Sequence, residues 1–316
     1  MEQAVWLWAV FAFIVAFILF LDLFFLHKDQ HEINVRESLL LSGGYIAVSL
    51  IFGLFVWNQL GIDHALDYYT GYVIEKSLSI DNLFVMAIIF AAFRIPRIYQ
   101  HRVLFWGIIG VLILRGLMIG LGATLIHEFE WVLHIFAVFL VFTGIKLLFW
   151  KNDNEHEIDV KNNLVVRILK KYFPTAPITG QKFWVKKPSD KNGKILWHIT
   201  PLFIALVSIE IADVVFAIDS VPAIFAITTE PYIVYTSNIF AILGLRALYF
   251  ALSATIERFA YLKYAVSLIL IFIGVKVFVP LLTSIEKVPP SISLSITLGL
   301  IIGGIVFSLY KTRNIK

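Results

Sequence analysis

Long apolar runs separated by short polar connections dominate the chain. Nine of these runs are long enough to cross a bilayer, which takes a helix of roughly 20 residues. They lie at residues 5–26, 37–57, 67–93, 102–126, 130–150, 198–228, 232–255, 260–282 and 290–310. The pattern predicts an all-α polytopic membrane protein with about nine transmembrane helices.

The composition agrees with a membrane protein and excludes some chemistry. Hydrophobic residues make up 59% of the 316 residues and charged residues only 15%, and the mean hydropathy is +0.86. The chain contains no cysteine, so it can form no disulfide, thiolate metal site or redox-active dithiol. The net charge of +4 does not indicate nucleic-acid binding, because the basic residues lie in the connections, where they act as topology signals.

The basic residues alternate between connections and so predict an orientation. Arg94 and Arg97 follow the third run, for example, whereas residues 58–66 contain no lysine or arginine. By the positive-inside rule we expect the N-terminus outside and the C-terminus in the cytoplasm, in a bacterial inner membrane. The long basic connection 151–197 is then cytoplasmic. We expect it to be solvated and to meet anionic lipid headgroups in part, with a regulatory or partner-binding role as the alternative.

Two acidic stretches within the apolar runs resemble each other. Residues 75–82 read Glu-Lys-Ser-Leu-Ser-Ile-Asp-Asn, and residues 213–220 read Asp-Val-Val-Phe-Ala-Ile-Asp-Ser. In both stretches five residues separate two acids, and the last of the five is an isoleucine. Six residues turn a straight helix by about 600°, so either the helix is broken between the two acids or each acid faces a different neighbour. In the second stretch, Pro222 removes a backbone donor and is expected to leave a carbonyl oxygen free beside Asp219.

An arginine and a lysine follow each acidic stretch in the same order. Arg115 and Lys146 are 31 residues apart (146 − 115), and Arg246 and Lys276 are 30 residues apart (276 − 246). The two three-helix units would cross the membrane in opposite directions, because the predicted topology runs the third and sixth segments oppositely. Such an inverted repeat is typical of secondary transporters, whose sites lie near the bilayer midplane.

The repeat suggests a division of the chain into five parts. We expect N-terminal helices in residues 1–60, a first repeat in 61–150 and a cytoplasmic basic linker in 151–197. A second repeat would occupy 198–284, and a C-terminal helix with a cytoplasmic tail would occupy 285–316.

The acids of the two stretches are the candidate functional residues, because an ionisable side chain inside a membrane is costly. Oxygen ligands suit hard divalent cations such as Mn2+, Mg2+ and Ca2+, whereas cysteine and well-placed histidine for softer metals are missing. The candidate metal-pathway residues are Glu75, Asp81, Asn82, Glu210, Asp213, Asp219 and Ser220.

The alternative is that these carboxylates are salt-bridge partners that hold helices together. The basic candidates for a gating or salt-bridge role are Arg115, Arg246, Lys146 and Lys276. A buried arginine needs a counter-charge, so some of the acids must serve in this way. The segments still contain more acids than bases, and a cation or protons would balance that surplus.

The two acidic stretches, with Ser208-Ile-Glu-Ile-Ala before the second, resemble the signature segments of the TerC family of integral membrane proteins, which includes Alx-type members. The resemblance extends over nearly the whole chain. It implies a LysE-related, inverted-repeat exporter of manganese with links to tellurium resistance and alkaline pH. The metal-pathway residues carried over from the family are those named above.

Three functions were compared on this basis. The first is a secondary exporter in the lipid bilayer that moves Mn2+ as its substrate in exchange for protons. It would have no organic cofactor and no enzymatic activity. The second is a membrane scaffold or assembly factor in metal or tellurium stress, for which the 151–197 connection would matter more than the acids. The third, an intramembrane aspartyl protease, lacks its sequence context because Asp81 and Asp219 both follow isoleucine. The sequence carries no signal for an oligomeric state.

Overall fold

The computed structural model describes residues 2–24, 35–129, 131–149, 164–188, 195–252, 261–283 and 288–312. These ranges contain eleven helices and one two-stranded antiparallel hairpin. The elements are α1 (Glu2–Phe24), α2 (Val35–Leu60), α3 (Ile62–Ala92), α4 (Arg97–Glu128), α5 (Trp131–Phe149), α6 (Leu164–Tyr172), β1 (Trp184–Pro188), β2 (Ile195–Ile199), α7 (Pro201–Phe225), α8 (Pro231–Leu243), α9 (Leu245–Leu252), α10 (Leu262–Leu282) and α11 (Pro290–Lys311).

The helices are those of an integral membrane protein. Within the described ranges, seven stretches are long and apolar enough to span a bilayer, and α1 contributes a shorter apolar run, Val5–Leu21. The seven stretches are Arg36–Leu60, Arg97–Glu128, Trp131–Phe149, Pro201–Phe225, Pro231–Ala251, Leu262–Leu282 and Pro290–Lys311. The protein therefore has about seven or eight candidate transmembrane helices, one or two fewer than the nine expected. At 31 residues α3 is long enough, but five charged residues along it lower its apolar character.

Two local expectations are decided by the helices themselves. α3 is continuous through positions 75 and 81, so the helix is not broken between the two acids. α7 likewise continues through Pro222 to Phe225. The described part of the predicted run 232–255 forms two helices, α8 and α9, which meet at Gly244.

The connection expected between the two halves has structure of its own. Part of it forms the short helix α6, and another part forms the β1–β2 hairpin, in which Trp184 pairs with Ile199 and Pro188 with Ile195. The hairpin leads directly into α7, which begins at Pro201. The described part of the connection is therefore folded against the end of a membrane helix.

Helices α3, α4, α7 and α8 surround the centre of the molecule. α3 packs against α7 and α8, and α4 packs against the same two helices. Apolar side chains fill the space between α3, α4, α7 and α9, among them Leu83, Leu104, Ile209 and Tyr249. Polar side chains that project inward from the four central helices consequently meet each other without contact with lipid.

Helices α5 and α10 form the closest helix pair, and glycines make that approach possible. A Cβ built on Gly144 would lie 2.7 Å from the carbonyl oxygen of Ser267, and one on Gly274 would lie 2.6 Å from that of Ala137. Both distances are shorter than real Cβ contacts. The contacts are reciprocal, because each glycine faces the residue seven positions before the other glycine.

Candidate functional site

Arg115 is buried at the centre of the four-helix arrangement. It lies within α4, 18 residues from the first residue of the helix (115 − 97) and 13 from the last (128 − 115). Only 1% of its surface is exposed. A guanidinium does not lose its proton under these conditions, so its burial requires negative partners nearby.

Two carboxylates supply that negative charge. Nη1 of Arg115 donates to Oε1 of Glu75 at 2.8 Å. Nε and Nη2 donate to the two oxygens of Asp213, each at 3.1 Å, in the two-pronged geometry that an arginine and a carboxylate favour. Glu75 and Asp213 are themselves buried. When all three groups are ionised, they carry one net negative charge.

Amide and hydroxyl groups complete the cluster. Asn82 donates to Oδ1 of Asp213 at 3.1 Å. The Oγ of Ser220 accepts a hydrogen bond from Arg115 at 2.8 Å. We call Glu75, Asn82, Arg115, Asp213, Ser220 and Asn238 the central polar cluster.

Asn238 on α8 links the two charged parts of this cluster. Its Oδ1 accepts from Nη1 of Arg115 at 3.2 Å, and its Nδ2 donates to Oε2 of Glu75 at 3.0 Å. The side chain is fully buried. The sequence-based prediction missed Asn238; the available signal was a single amide within the apolar segment of α8.

Residue spacing explains why two helices each contribute two members. Glu75 and Asn82 are seven residues apart on α3, and Asp213 and Ser220 are seven apart on α7. Seven residues correspond to almost two full turns, so each pair lies on one face of its helix. Both faces turn toward Arg115, which projects from α4.

A cavity of about 80 Å³ adjoins the central polar cluster. Glu75, Asn82, Arg115 and Ser220 line one part of it, and the apolar remainder comes from residues such as Leu270. A single water needs roughly 10–15 Å³ by the same measure, so the cavity has room for several waters or a small hydrated ion. Oxygen atoms of the cluster therefore lie next to space that a cation could occupy.

Glu210 lies outside the hydrogen-bond network of the cluster. Its carboxylate packs on α4 at Gly110, where a Cβ would come within 2.5 Å of Oε1. Both of its oxygens are buried and receive no hydrogen bond from the described part of the chain. A side chain at position 110 would force this carboxylate to shift. Glu210 lies one helical turn before Asp213 on α7.

The basic residues have separate positions. Lys76 donates to the carbonyl oxygen of Ala241 at 3.0 Å, next to the junction of α8 and α9. Arg246 is buried and borders, with Asp213, a small cavity of about 20 Å³. Lys276 is buried beside a third cavity, whereas Lys146 is exposed on α5. Among the four bases predicted for salt bridging or gating, Arg115 is the one that enters the central polar cluster.

Two predicted metal-pathway residues can be placed only by their backbone. Asp81 lies in α3 and Asp219 in α7, but their side chains lie outside the described residues. Among the side chains that are described, no group of three or more histidine, aspartate or glutamate residues is arranged to hold a metal ion. The structure thus brings together Glu75, Asn82, Asp213 and Ser220, and it leaves Glu210 one turn away.

Known proteins resemble this chain over most of its length. Residues 60–316 match the sequence model described as the integral membrane protein TerC family. An uncharacterized membrane protein of Rickettsia conorii is 47% identical over 309 residues, which cover 98% of this chain and 99% of the relative. An uncharacterized membrane protein of Myxococcus xanthus is 43% identical over 309 residues, covering 98% and 93%.

A relative from Escherichia coli K12 carries a descriptive name, putative membrane-bound redox modulator Alx. It is 40% identical over 306 residues, which cover 94% of this chain and 92% of the relative. No solved structure shows significant similarity. With the helical membrane architecture and the match over residues 60–316, these relationships establish that the chain belongs to the TerC family of integral membrane proteins.

Proposed function

We propose that this protein is a secondary transporter that exports Mn2+ from the cytoplasm in exchange for protons. One observation carries the proposal. Glu75 and Asp213 are buried between central helices, share the single counter-charge of Arg115, and adjoin a cavity bordered by further oxygen atoms. A cluster with excess negative charge and oxygen donors suits a hard divalent cation. Its burial away from lipid is typical of substrate pathways.

In the proposed mechanism Arg115 acts as an internal counter-ion. It offsets one of the two negative charges of Glu75 and Asp213 while no cation is bound, which lowers the cost of burying these carboxylates. An entering Mn2+ competes with the guanidinium for the same oxygens, and Asn82 and Ser220 add neutral oxygen donors. Asp81 and Asp219 are the further carboxylates proposed for the pathway. Protons that bind the carboxylates after release of the metal return them to the neutral state.

The exchange requires that the cluster open to each side of the membrane in turn. We propose that α3–α5 and α7–α10 are inverted repeats and that α3 also spans the bilayer, for nine spans in all. The packing supports this proposal, because α3 contacts α8 and α4 contacts α7, which are equivalent pairs when the repeats are exchanged. The reciprocal contacts of Gly144 and Gly274 support it as well.

Alternating access would then come from rocking of the two repeats against each other around the central polar cluster. The proposed orientation places the N-terminus outside and the C-terminus in the cytoplasm. The 151–197 connection, which includes α6 and the hairpin, is cytoplasmic in this arrangement, in keeping with its many basic residues.

The proposal is tested with purified protein in liposomes under an imposed pH gradient. Uptake of Mn2+ is measured against Ca2+, Mg2+ and Zn2+ for the wild type, Asp81→Asn, Asp213→Asn and Asp219→Asn. We expect Mn2+ transport that depends on the pH gradient and is lost in the three variants. Asp63→Asn, which changes an exposed acid near the start of α3, is the matched control and should transport normally.

The opposite result would favour the scaffold hypothesis. If all three variants move Mn2+ like the wild type, or if the wild type moves none of these ions, export through these acids is wrong. Replacement of residues 151–197 would then be the change that abolishes function in cells. The redox role in the name of the Escherichia coli relative is not proposed for this chain, because it has no cysteine thiol for such chemistry.

A further inference from the structure

The described part of the connection before α7 is strongly basic. We call residues 164–188 and 195–199 the α6–hairpin unit. They include no aspartate or glutamate, and they include six basic residues: Arg167, Lys170, Lys171, Lys182, Lys186 and Lys187. The residues between the two strands add Asp190, Lys191 and Lys194 in sequence. The unit together with these residues therefore has a large positive net charge, which attracts an anionic surface.

The same unit exposes large apolar side chains. Tyr172 is 70% exposed, Ile195 71% and Trp197 56%. Ile168, Phe173 and Leu196 are also exposed. Tyrosine and tryptophan combine an apolar ring with one polar group and prefer the boundary between lipid and water. A surface that exposes aromatic rings among lysines is therefore typical of the boundary between lipid and water.

Some of these basic and apolar side chains lie on one face of the hairpin. Lys186 pairs with Trp197 in the strand register, and its Nζ lies 4.7 Å from the centre of the Trp197 ring. Trp184 is two residues before Lys186, and Ile195 is two before Trp197, so side-chain alternation places all four on the same face. We call this the Trp197 face.

The Trp197 face adjoins the beginning of a membrane helix. The ring of Trp184 lies 4.4 Å from that of Phe203, in the first turn of α7. Phe173, just after α6, contacts Trp184 from the other side, with ring centres 5.6 Å apart. Trp184 therefore connects the start of α7 with the hairpin face that carries the exposed Trp197.

A second contact holds the unit at the start of α4. Arg102 donates to the side-chain oxygen of Gln181 at 3.2 Å, and its guanidinium carbon lies 5.6 Å from the centre of the Phe183 ring. α4 and α7 both begin on this side of the protein and both are candidate spans. The unit is thus held where two helices enter the bilayer, within reach of the headgroup layer of several ångströms.

We propose that the α6–hairpin unit binds anionic phospholipid headgroups of the leaflet that α7 enters. Trp197, Ile195 and Tyr172 lie at the headgroup boundary, and the lysines and arginine contact lipid phosphates. Charge complementarity selects anionic lipid, and continuity with α7 selects the bilayer over a soluble partner. This surface is separate from the central polar cluster, so its test does not depend on transport.

The absence of cysteine allows a site-specific test. The complete Ile195→Cys protein is labelled with an environment-sensitive fluorophore and placed in nanodiscs of phosphatidylcholine, with or without phosphatidylglycerol. We expect blue-shifted emission and protection from an aqueous quencher only when phosphatidylglycerol is present. The shift should disappear at about 1 M salt, where the screening length falls to about 3 Å. Thr179→Cys, exposed but outside the Trp197 face, is the matched control and should not respond.

Two further comparisons make the result decisive. Lys171→Gln with Lys186→Gln, in the labelled protein, should weaken the response to phosphatidylglycerol while the emission in phosphatidylcholine stays the same. Equal emission in both nanodiscs, or an equal shift at position 179, would overturn the proposal. A shift caused by added polyglutamate but not by phosphatidylglycerol would also overturn it, since it would identify an acidic protein as the partner.

Discussion

At the scale of single residues, side chains from neighbouring helices satisfy the hydrogen-bonding groups of the buried Arg115. Arg115 donates five hydrogen bonds to four side chains, two of them carboxylates. A charge taken out of water costs several kcal/mol unless paired and hydrogen-bonded. Because two acids share one base, the three groups carry one net negative charge when all are ionised.

The first prediction concerns the removal of this arginine. Arg115→Met leaves Glu75 and Asp213 buried without a counter-charge, and it should destabilise the protein by about 3–5 kcal/mol. The effect is measured as a change in the thermal midpoint in detergent, which is detected by the loss of monodisperse protein on heating. The triple variant with Glu75→Gln and Asp213→Asn also removes the acids and should recover most of the loss. A triple variant no more stable than Arg115→Met would contradict the pairing.

The second prediction concerns Asn238, which connects Arg115 with Glu75. Asn238→Ala removes one acceptor and one donor from buried charged groups, which costs about 1–3 kcal/mol. The same thermal assay should show a lower midpoint than for the wild type. Thr124→Ala, an exposed position on α4, is the control and should change little. Equal midpoints for the two variants would mean that Asn238 is not part of the network.

At the scale of elements, α5 and α10 pack closely through one glycine on each helix. Without a hydrophobic force between helices inside lipid, close packing of small residues becomes a main source of association. Gly144 and Gly274 supply it here, each against the backbone of the other helix.

The third prediction tests this helix pair. Gly274→Ala places a methyl group 2.6 Å from the carbonyl oxygen of Ala137, so the helices must separate. Overpacking of this kind costs about 1–3 kcal/mol, and the thermal midpoint should fall. Gly299→Ala on α11, where nothing lies within 4 Å of the added methyl, should be neutral or stabilising. A neutral effect of Gly274→Ala would show that the close approach has no energetic importance.

At the scale of the whole molecule, the contact between α4 and α7 joins the two proposed repeats. A transporter that rocks must change this contact, whereas a scaffold need not. Gly107 on α4 lies opposite Ile209 on α7, with 4.0 Å between a Cβ on Gly107 and Cγ2 of Ile209. A thiol cross-link between these two positions would therefore join α4 to α7.

The fourth prediction uses that position. A disulfide between Gly107→Cys and Ile209→Cys should stop Mn2+ transport in liposomes, and a reductant should restore it. The two single-cysteine variants under the same oxidant are the controls and should keep transporting. Undiminished transport by the cross-linked protein would show that α4 and α7 do not move apart during the cycle.

Much of the architecture was predictable from sequence, for a physical reason. A helix that crosses lipid must satisfy its backbone internally and present apolar side chains, so membrane helices are visible as long apolar runs. The predicted runs correspond to α1–α5, α7, α10 and α11, with α8 and α9 together as one run. The folded α6–hairpin unit was not predicted, because a short helix and two short strands resemble a linker in sequence.

The sequence by itself determined which residues were candidates, because a charge within an apolar run is conspicuous wherever the helix lies. Only the tertiary structure decided which of them meet. Arg115, Glu75 and Asp213 are far apart in the chain and come together through the packing of α3, α4 and α7, while Glu210 is separated from them by its position over Gly110. Asn238 belongs to the site for the same reason. Hydrogen bonds between helices depend on side-chain direction and helix packing, and residue spacing along one helix does not predict either.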